Sequence, residues 1–135
     1  MALPNGAGGV QIGSGNRSET IMSYGSAPQT ATATATLTAA QVVNGMLVAN
    51  PSTSAATYTL PTGALIDAAV PNATVGNTFD LSIINIGTSS GAVTLSMGSG
   101  LTDGGNSTVA IAVTSSAQYR FRKTGDGAWT VYRLG

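Results

Sequence analysis

Ten charged side chains are the main chemically active groups of this sequence. Five are acidic, five are basic, and the formal net charge is zero. Histidine and cysteine do not occur, so zinc or copper sites built on those residues, and nucleophiles activated by histidine, are excluded. A hydrolase that uses two carboxylates stays formally open. With four aspartates and one glutamate as the whole acidic inventory, we expect no enzyme, no cofactor and no metal site.

The segment SGLTDGGNST, residues 99–108, places one carboxylate, Asp103, beside two glycines and Asn106. Calcium binds oxygen ligands, so one interpretation is a weak calcium site. The other is a turn, because Gly, Asn and Asp are typical turn residues. A single acid is a poor ligand set, and the sequence favours the turn.

Basic and aromatic residues alternate near the C-terminus, where Tyr119 and Phe121 interleave with Arg120, Arg122 and Lys123. Such interleaving can bind nucleic acid, but nucleic-acid binders need many Lys and Arg contacts to phosphates. With five cations balanced by five anions, we expect no nucleic-acid partner. Arg120 and Arg122 share one strand face, which is either solvated or a contact for an acidic partner surface.

Charged residues make up 7% of the 135 residues, against about 25% in a typical soluble domain. The longest uncharged run, residues 20–66, is rich in Thr, Ser, Pro, Asn and Gly, so we expect no membrane span. The start, MALPNGAGGVQIG, lacks the basic and apolar regions of a secretory signal. Low charge with abundant Ser, Thr, Gly and Asn resembles external or particle-bound proteins and suggests a virion component.

Residues 1–30 carry many glycines and few apolar residues, too few to offset the entropy of ordering unaided. This segment is interpreted either as a disordered tail or as an extended arm that orders on a neighbouring subunit. In the second case the expected capsid or subunit contacts are its apolar residues, its aromatic residue and its ion pair: Val10, Ile12, Arg17, Glu19, Ile21, Met22 and Tyr24.

The stretch TATATATLTAAQ, residues 30–41, alternates threonine and alanine. Period two predicts a strand over residues 31–37, with a thin face of alanines. The strand belongs either to the protein's own sheet or to a subunit interface, since it lacks the lysines that protect edges. Thr38 and Thr62 are predicted N-caps of two short helices, AAQVV and GALIDAAV.

Further alternating segments predict strands at 46–49, 56–60, 79–86, 92–97, 108–113, 118–122 and 129–134. Trp129 in the last of these is expected in the core, although a lone tryptophan can also stack on a sugar. Turn signals recur about every ten residues and no long helix intervenes, which is typical of an antiparallel β-sandwich, jelly-roll-like or of another order. We expect an all-β domain over residues 31–135, preceded by the arm.

Five segments, LTAAQVVNGMLVAN, TYTLPTGALIDAAVPNATVGNTFDLSIINIG, AVTLSMGSGLT, AQYRFRK and AWTVYRLG, follow one another in residues 35–134. Together they resemble a β-rich module of small structural proteins of tailed bacteriophages, especially phages of marine bacteria and cyanobacteria. Such modules occur in head decoration (cement) proteins, head fibres and tail-associated proteins. The first thirty residues fall outside the resemblance, and no binding residue is carried over from it.

The resemblance implies an oligomer, often a homotrimer, seated on the lattice of the major capsid protein. We therefore expect a capsid decoration protein, made in the host cytoplasm, that binds the outer surface of the capsid and stabilises the head. The alternative is a tail- or fibre-associated adhesin domain that contacts host surface glycans.

Overall fold

The computed structural model describes residues 24–135, which form an all-β structure with two short helices. In this part of the chain the strands are β1 (Gln29–Ala31), β2 (Ala35–Thr36), β3 (Met46–Ala49), β4 (Ala56–Thr59), β5 (Thr78–Asn85), β6 (Val93–Ser96), β7 (Leu101–Gly105), β8 (Ser115–Gly125) and β9 (Ala128–Arg133). The helices are α1 (Ala39–Val43) and α2 (Gly63–Ala69).

The strands form a six-stranded sheet of order β1-β3-β5-β8-β9-β7 and a three-stranded sheet of order β2-β4-β6. Up to β6 the chain alternates between the two sheets, so that β1, β3 and β5 stack in parallel in one and β2, β4 and β6 in the other. One circuit of the chain therefore adds one strand to each sheet. Helix α1 connects β2 to β3 and helix α2 connects β4 to β5, so each helix leads from the three-stranded sheet back to the six-stranded one.

The β-rich class is confirmed, but the predicted antiparallel pairing is wrong for most of the sheet. Antiparallel ladders join β5 to β8 and β8 to β9, whereas five other strand pairs are parallel. Alternation in a sequence reports which face a side chain occupies and not the direction of the neighbouring strand. The absence of long helices also favoured the antiparallel prediction, because helices commonly connect parallel strands. Here a strand of one sheet connects two parallel strands of the other sheet instead.

One core lies between the sheets. Its largest buried side chains come from both sheets, from both helices and from the segments after β4 and β7: Trp129, Tyr58, Tyr119, Phe121, Leu47, Leu60, Ile66, Leu81, Ile83, Leu95, Ile111 and Val42. Phe79 stacks on Phe121 with ring centroids 4.8 Å apart and meets the edge of Trp129 at 5.4 Å. Trp129 is 1% exposed, which confirms its predicted place in the core.

Both predicted helix caps are confirmed. The Thr38 hydroxyl accepts a hydrogen bond from the Gln41 amide at 3.1 Å, and the Gln41 side chain accepts one from the Thr38 amide at 2.9 Å. The Thr62 hydroxyl accepts from the Leu65 amide at 3.2 Å. These bonds satisfy amides that a helix start leaves free. Neither helix in residues 24–135 has the length and hydropathy needed to cross a membrane.

The predicted strand over residues 31–37 is two strands with a corner between them. Residues 32–34 leave the six-stranded sheet and enter the three-stranded one. The Tyr58 hydroxyl donates to the Thr32 carbonyl at 2.7 Å, and the Thr34 hydroxyl accepts from the Thr57 amide at 3.0 Å. Two side-chain bonds therefore hold a corner that threonine–alanine alternation cannot signal.

The predicted strand over residues 108–113 is also wrong. In that segment Ile111 makes an isolated antiparallel bridge to Val93. The strand in this part of the chain is instead β7, which lies within residues 99–108, where the sequence predicts a turn. Glycines disfavour strands, but β7 is held by its parallel ladder to β9, a contact between residues far apart in the sequence.

Candidate docking surfaces

The outward side of the three-stranded sheet presents a regular array of hydroxyl groups, here called the hydroxyl face. Across the strands Thr36 stands beside Thr59 and Thr59 beside Ser96, and Thr57 stands beside Thr94. Strand geometry sets these neighbours about 4.8 Å apart across the sheet and about 6.7 Å apart along a strand. All five side chains are uncharged, and each is exposed or half-buried.

The hydroxyl face follows from three short motifs, Thr34-Ala35-Thr36, Thr57-Tyr58-Thr59 and Thr94-Leu95-Ser96. In each motif the outer two residues point away from the core. The middle residues of the second and third motifs, Tyr58 and Leu95, are buried at 0% and 1% exposure. Because β2, β4 and β6 pair in parallel, the three motifs lie side by side in the sheet. The threonines of the alternating stretch therefore begin a surface that the next two circuits of the chain extend.

The outward side of the six-stranded sheet carries an ion pair between directly opposed residues of β5 and β8. Arg120 donates through Nε to Asp80 Oδ1 at 2.8 Å and through Nη2 to Oδ2 at 3.0 Å. The Arg120 hydrogen bonds hold the pKa of Asp80 below its usual value, and the same contact raises the pKa of Arg120. Arg120 thus lies on a solvated face and already has an acidic partner within the chain.

Lys123 follows Arg120 and Arg122 in the same basic segment, but its side chain is buried. It is 7% exposed, and its ammonium lies 3.0 Å from Asp67 Oδ1 and 5.9 Å from the centroid of the Trp129 ring. The signal in the sequence is the spacing, because Tyr119, Phe121 and Lys123 are two residues apart and share the inward face of β8. Lys123 is therefore not available for an acidic partner.

Asp67 is the centre of this arrangement, called here the Asp67 clasp: Asp67, Lys123, Gly127 and Trp129. Besides Lys123, the carboxylate accepts from the Gly127 amide at 2.6 Å and from Trp129 Nε1 at 2.9 Å. The Gly127 hydrogen bond is the largest cause of a lowered pKa of Asp67, and the Lys123 contact adds to it. The clasp ties α2 to the turn between β8 and β9, so its role is structural.

The Asp103 carboxylate accepts hydrogen bonds from backbone amides that follow it closely in the sequence. Its Oδ1 accepts from the amides of Gly105 at 2.9 Å and Ser107 at 3.0 Å, and these bonds lower its pKa. The carboxylate is thus engaged by local backbone at the end of β7. The predicted turn is present at residues 106–108, whereas residues 101–105 form a strand. Across residues 24–135 there is no group of three or more acidic, histidine or cysteine side chains placed to hold a metal ion.

Six of the seven predicted contact residues lie outside the described residues: Val10, Ile12, Arg17, Glu19, Ile21 and Met22. Tyr24, the seventh, is fully exposed and precedes β1 by five positions. The prediction that these residues form contacts stays a prediction. The hydroxyl face was not singled out from the sequence, although the repeated Thr-x-Thr or Thr-x-Ser spacing is a signal that could have found it.

Comparison of the chain with protein-family models, with curated proteins and with solved structures finds no match. What the protein binds is therefore inferred from its surfaces, its charge and the resemblance noted above.

Proposed function

We propose that this protein is a decoration (cement) protein of a tailed bacteriophage, which binds the outer surface of the major capsid protein lattice and stabilises the head. The observation that carries the proposal is the hydroxyl face, a regular uncharged surface on a chain with only 7% charged residues. The resemblance of residues 35–134 to the β-rich module of phage structural proteins supports the same assignment. We further propose that the two sheets, which share one core, form a β-sandwich module that assembles as a homotrimer.

The hydroxyl face suits attachment by shape and hydrogen bonding. Threonine offers a hydroxyl and a methyl group, so it can pair with backbone groups of another protein without the large desolvation cost of a buried charge. A protein that binds the assembled lattice and not free coat subunits stabilises the shell by mass action. The bound protein would lie on the outer capsid surface of the virion.

The first test is substitution within the hydroxyl face. Thr57→Lys places a charge among uncharged neighbours, and we expect it to abolish binding to purified heads that lack the protein, measured by co-sedimentation. The matched control is Thr102→Lys, because Thr102 is an exposed threonine on a strand of the other sheet. Equal binding of both variants, with circular dichroism spectra like the parent's, would remove the hydroxyl face from the attachment surface.

The second test is salt. The Debye length falls from roughly 30 Å at 0.01 M to roughly 3 Å at 1 M salt, so charge-driven attachment weakens steeply over that range. We expect attachment to change little, because the proposed contact contains no charged side chain. Loss of most binding at high salt would contradict this mechanism. Counting labelled copies on particles then distinguishes decoration, with many copies over the head, from a fibre or tail protein, with few at one vertex.

The adhesin alternative has weaker support from the aromatic residues. Glycan sites use exposed aromatic rings, but Trp129, Tyr58, Tyr119 and Phe121 are at most 1% exposed. Tyr24 is exposed and is the residue that favours this alternative. Binding on a glycan array that is lost in Tyr24→Ala would favour the adhesin over the decoration protein.

A further inference from the structure

A shallow pocket lies between the C-terminal end of α2 and the start of β5. Its volume is about 450 Å³, and it is lined by Val70, Ala73, Trp129 and residues 76–79. Ligand pockets in proteins commonly have volumes of about 300–1,000 Å³, so this pocket is large enough for a single ring with a short substituent. No residue of the hydroxyl face lines it, so its occupancy is independent of the capsid attachment proposed above.

Two aromatic rings and two aliphatic side chains form the apolar part of the pocket. Phe79 is half-buried, and its ring meets the edge of the Trp129 ring at 5.4 Å between centroids. Val70 and Ala73 are also half-buried. Trp129 is 1% exposed and its Nε1 donates to Asp67, so it offers a ring edge and no free donor. An added aromatic ring can pack here edge-to-face or offset-stacked, the two arrangements that aromatic pairs prefer.

A positively charged side chain stands beside this apolar surface. Arg122 is exposed, and its Nη2 lies 3.9 Å from the position that a β carbon would take at Gly76, a residue that lines the pocket. In the described part of the chain the two ion pairs use Arg120 and Lys123, so the Arg122 guanidinium has no carboxylate partner there. Arginine binds a carboxylate through two parallel hydrogen bonds. The pocket therefore combines an aromatic surface with one unpaired cation at its rim.

We propose that this pocket binds a small aromatic carboxylic acid, with the ring of the ligand against Phe79 and its carboxylate on the Arg122 guanidinium. The aromatic and aliphatic lining favours a ring over a short aliphatic chain, because the ring gains contacts with both Phe79 and Val70. The guanidinium favours an acid over a neutral ligand of the same shape, because a charged acceptor makes the stronger hydrogen bonds. Each half of the ligand is thus recognised by a different part of the pocket.

The fluorescence of Trp129, the one tryptophan of the chain, reports binding because this residue lines the pocket. Titration with phenylacetate should change the emission saturably, and acetate, which lacks the ring, should not. Arg122→Gln should weaken phenylacetate binding roughly tenfold and leave the binding of uncharged phenylacetamide unchanged. The matched control, Arg120→Gln with Asp80→Asn, removes the neighbouring ion pair without leaving a charge unpaired. Equal phenylacetate affinity in Arg122→Gln and in this control would overturn the proposal.

Filling the pocket gives a second measurement. Ala73→Leu should abolish phenylacetate binding, whereas Ala68→Leu, at an exposed position of α2 that does not line the pocket, should not. Both variants should bind purified heads like the parent, so a failure of this proposal is distinguishable from a failure of capsid attachment.

Nuclear magnetic resonance then locates the site. In the parent, phenylacetate should shift the amide signals of residues 73–79 more than those of the other strands. Shifts confined to another part of the protein, or the absence of any saturable change in shift or emission, would overturn the proposal.

Discussion

The carboxylate of Asp67 lies 3.0 Å from the ammonium of Lys123, although 56 residues separate them in the sequence. The pair joins the middle of α2 to the inward face of β8, and Lys123 is 7% exposed. Because Gly127 and Trp129 also donate to this carboxylate, one side chain organises a helix, a strand and a turn. Removing its charge should therefore affect stability more than removing any exposed acid.

Asp67→Asn should destabilise the protein by about 2–3 kcal/mol, because it leaves a buried ammonium without its counter-ion. The matched control is Asp80→Asn, the same change at the ion pair with Arg120 on the solvated face. That pair has side chains 34% and 47% exposed, and we expect a loss below about 1 kcal/mol. Urea unfolding followed by Trp129 fluorescence measures both. Equal losses would show that the Asp67 clasp adds nothing beyond a surface ion pair.

Below about pH 8, stability should depend on pH only in the acid range. The pKa values of Asp67, Asp80 and Asp103 are lowered in the folded state from the usual 3.8. A lowered folded pKa contributes stability above the unfolded pKa, and this contribution is lost as the pH falls through the folded value. We expect a fall in the free energy of unfolding below about pH 4 and, without histidine, little change between about pH 5 and 8.

The check is urea unfolding repeated across this pH range for the parent and for Asp67→Asn. The variant should show a shallower fall below about pH 4, because one of the three carboxylates has gone. A variant curve parallel to the parent's throughout would mean that the Asp67 pKa is not lowered by folding.

Asn85 should tolerate no acidic replacement. Its Nδ2 group donates to the carbonyls of Gly91 at 2.9 Å, Ile111 at 3.1 Å and Ala112 at 3.1 Å, and the residue is 1% exposed. Asn85→Asp would turn a buried donor into a carboxylate facing three carbonyl oxygens. We expect a loss of about 3 kcal/mol or more in the free energy of unfolding.

The control for that change is Asn77→Asp. The Asn77 side chain accepts through Oδ1 from the Thr74 amide at 2.9 Å, a role that aspartate can also fill. The free energy of unfolding of Asn77→Asp should differ from that of the parent by less than about 0.5 kcal/mol. Thermal unfolding that ranks the two variants in the opposite order would contradict the assignment of Asn85 as a buried donor.

Gly63→Ala should destabilise the protein even though alanine favours helices by about 1 kcal/mol over glycine. A β carbon at Gly63, the first residue of α2, would overlap the carbonyl oxygen of Gly127 in the β8–β9 turn. We expect the clash to outweigh the helix gain, with a net loss of about 2 kcal/mol. Gly105→Ala is the control, because no atom lies within 4 Å of its added carbon. A higher melting temperature for Gly63→Ala would show that α2 and the turn are not in close contact.

Much of the local structure can be predicted from short segments. Thr38 and Thr62 start helices because a threonine hydroxyl pairs with the free amides of the first turn, which lie only three residues away. Alternation correctly assigns Phe121 and Trp129 to the core and the hydroxyls of Thr57 and Thr94 to the outside. The absence of histidine and cysteine excludes whole classes of site. These conclusions depend on residue type and on neighbours along the chain.

Which strands and side chains contact one another was decided by the tertiary structure alone. Parallel stacking of β1, β3 and β5, the corner at residues 32–34, and strand β7 within a glycine-rich segment all depend on contacts between residues far apart in the sequence. Spacing along β8 can place Lys123 on the inward face, but only the fold brings Asp67, 56 residues away in the sequence, to its ammonium group. Period two states which way a side chain points, but the strand or helix that meets it is chosen by the free energy of packing the whole core.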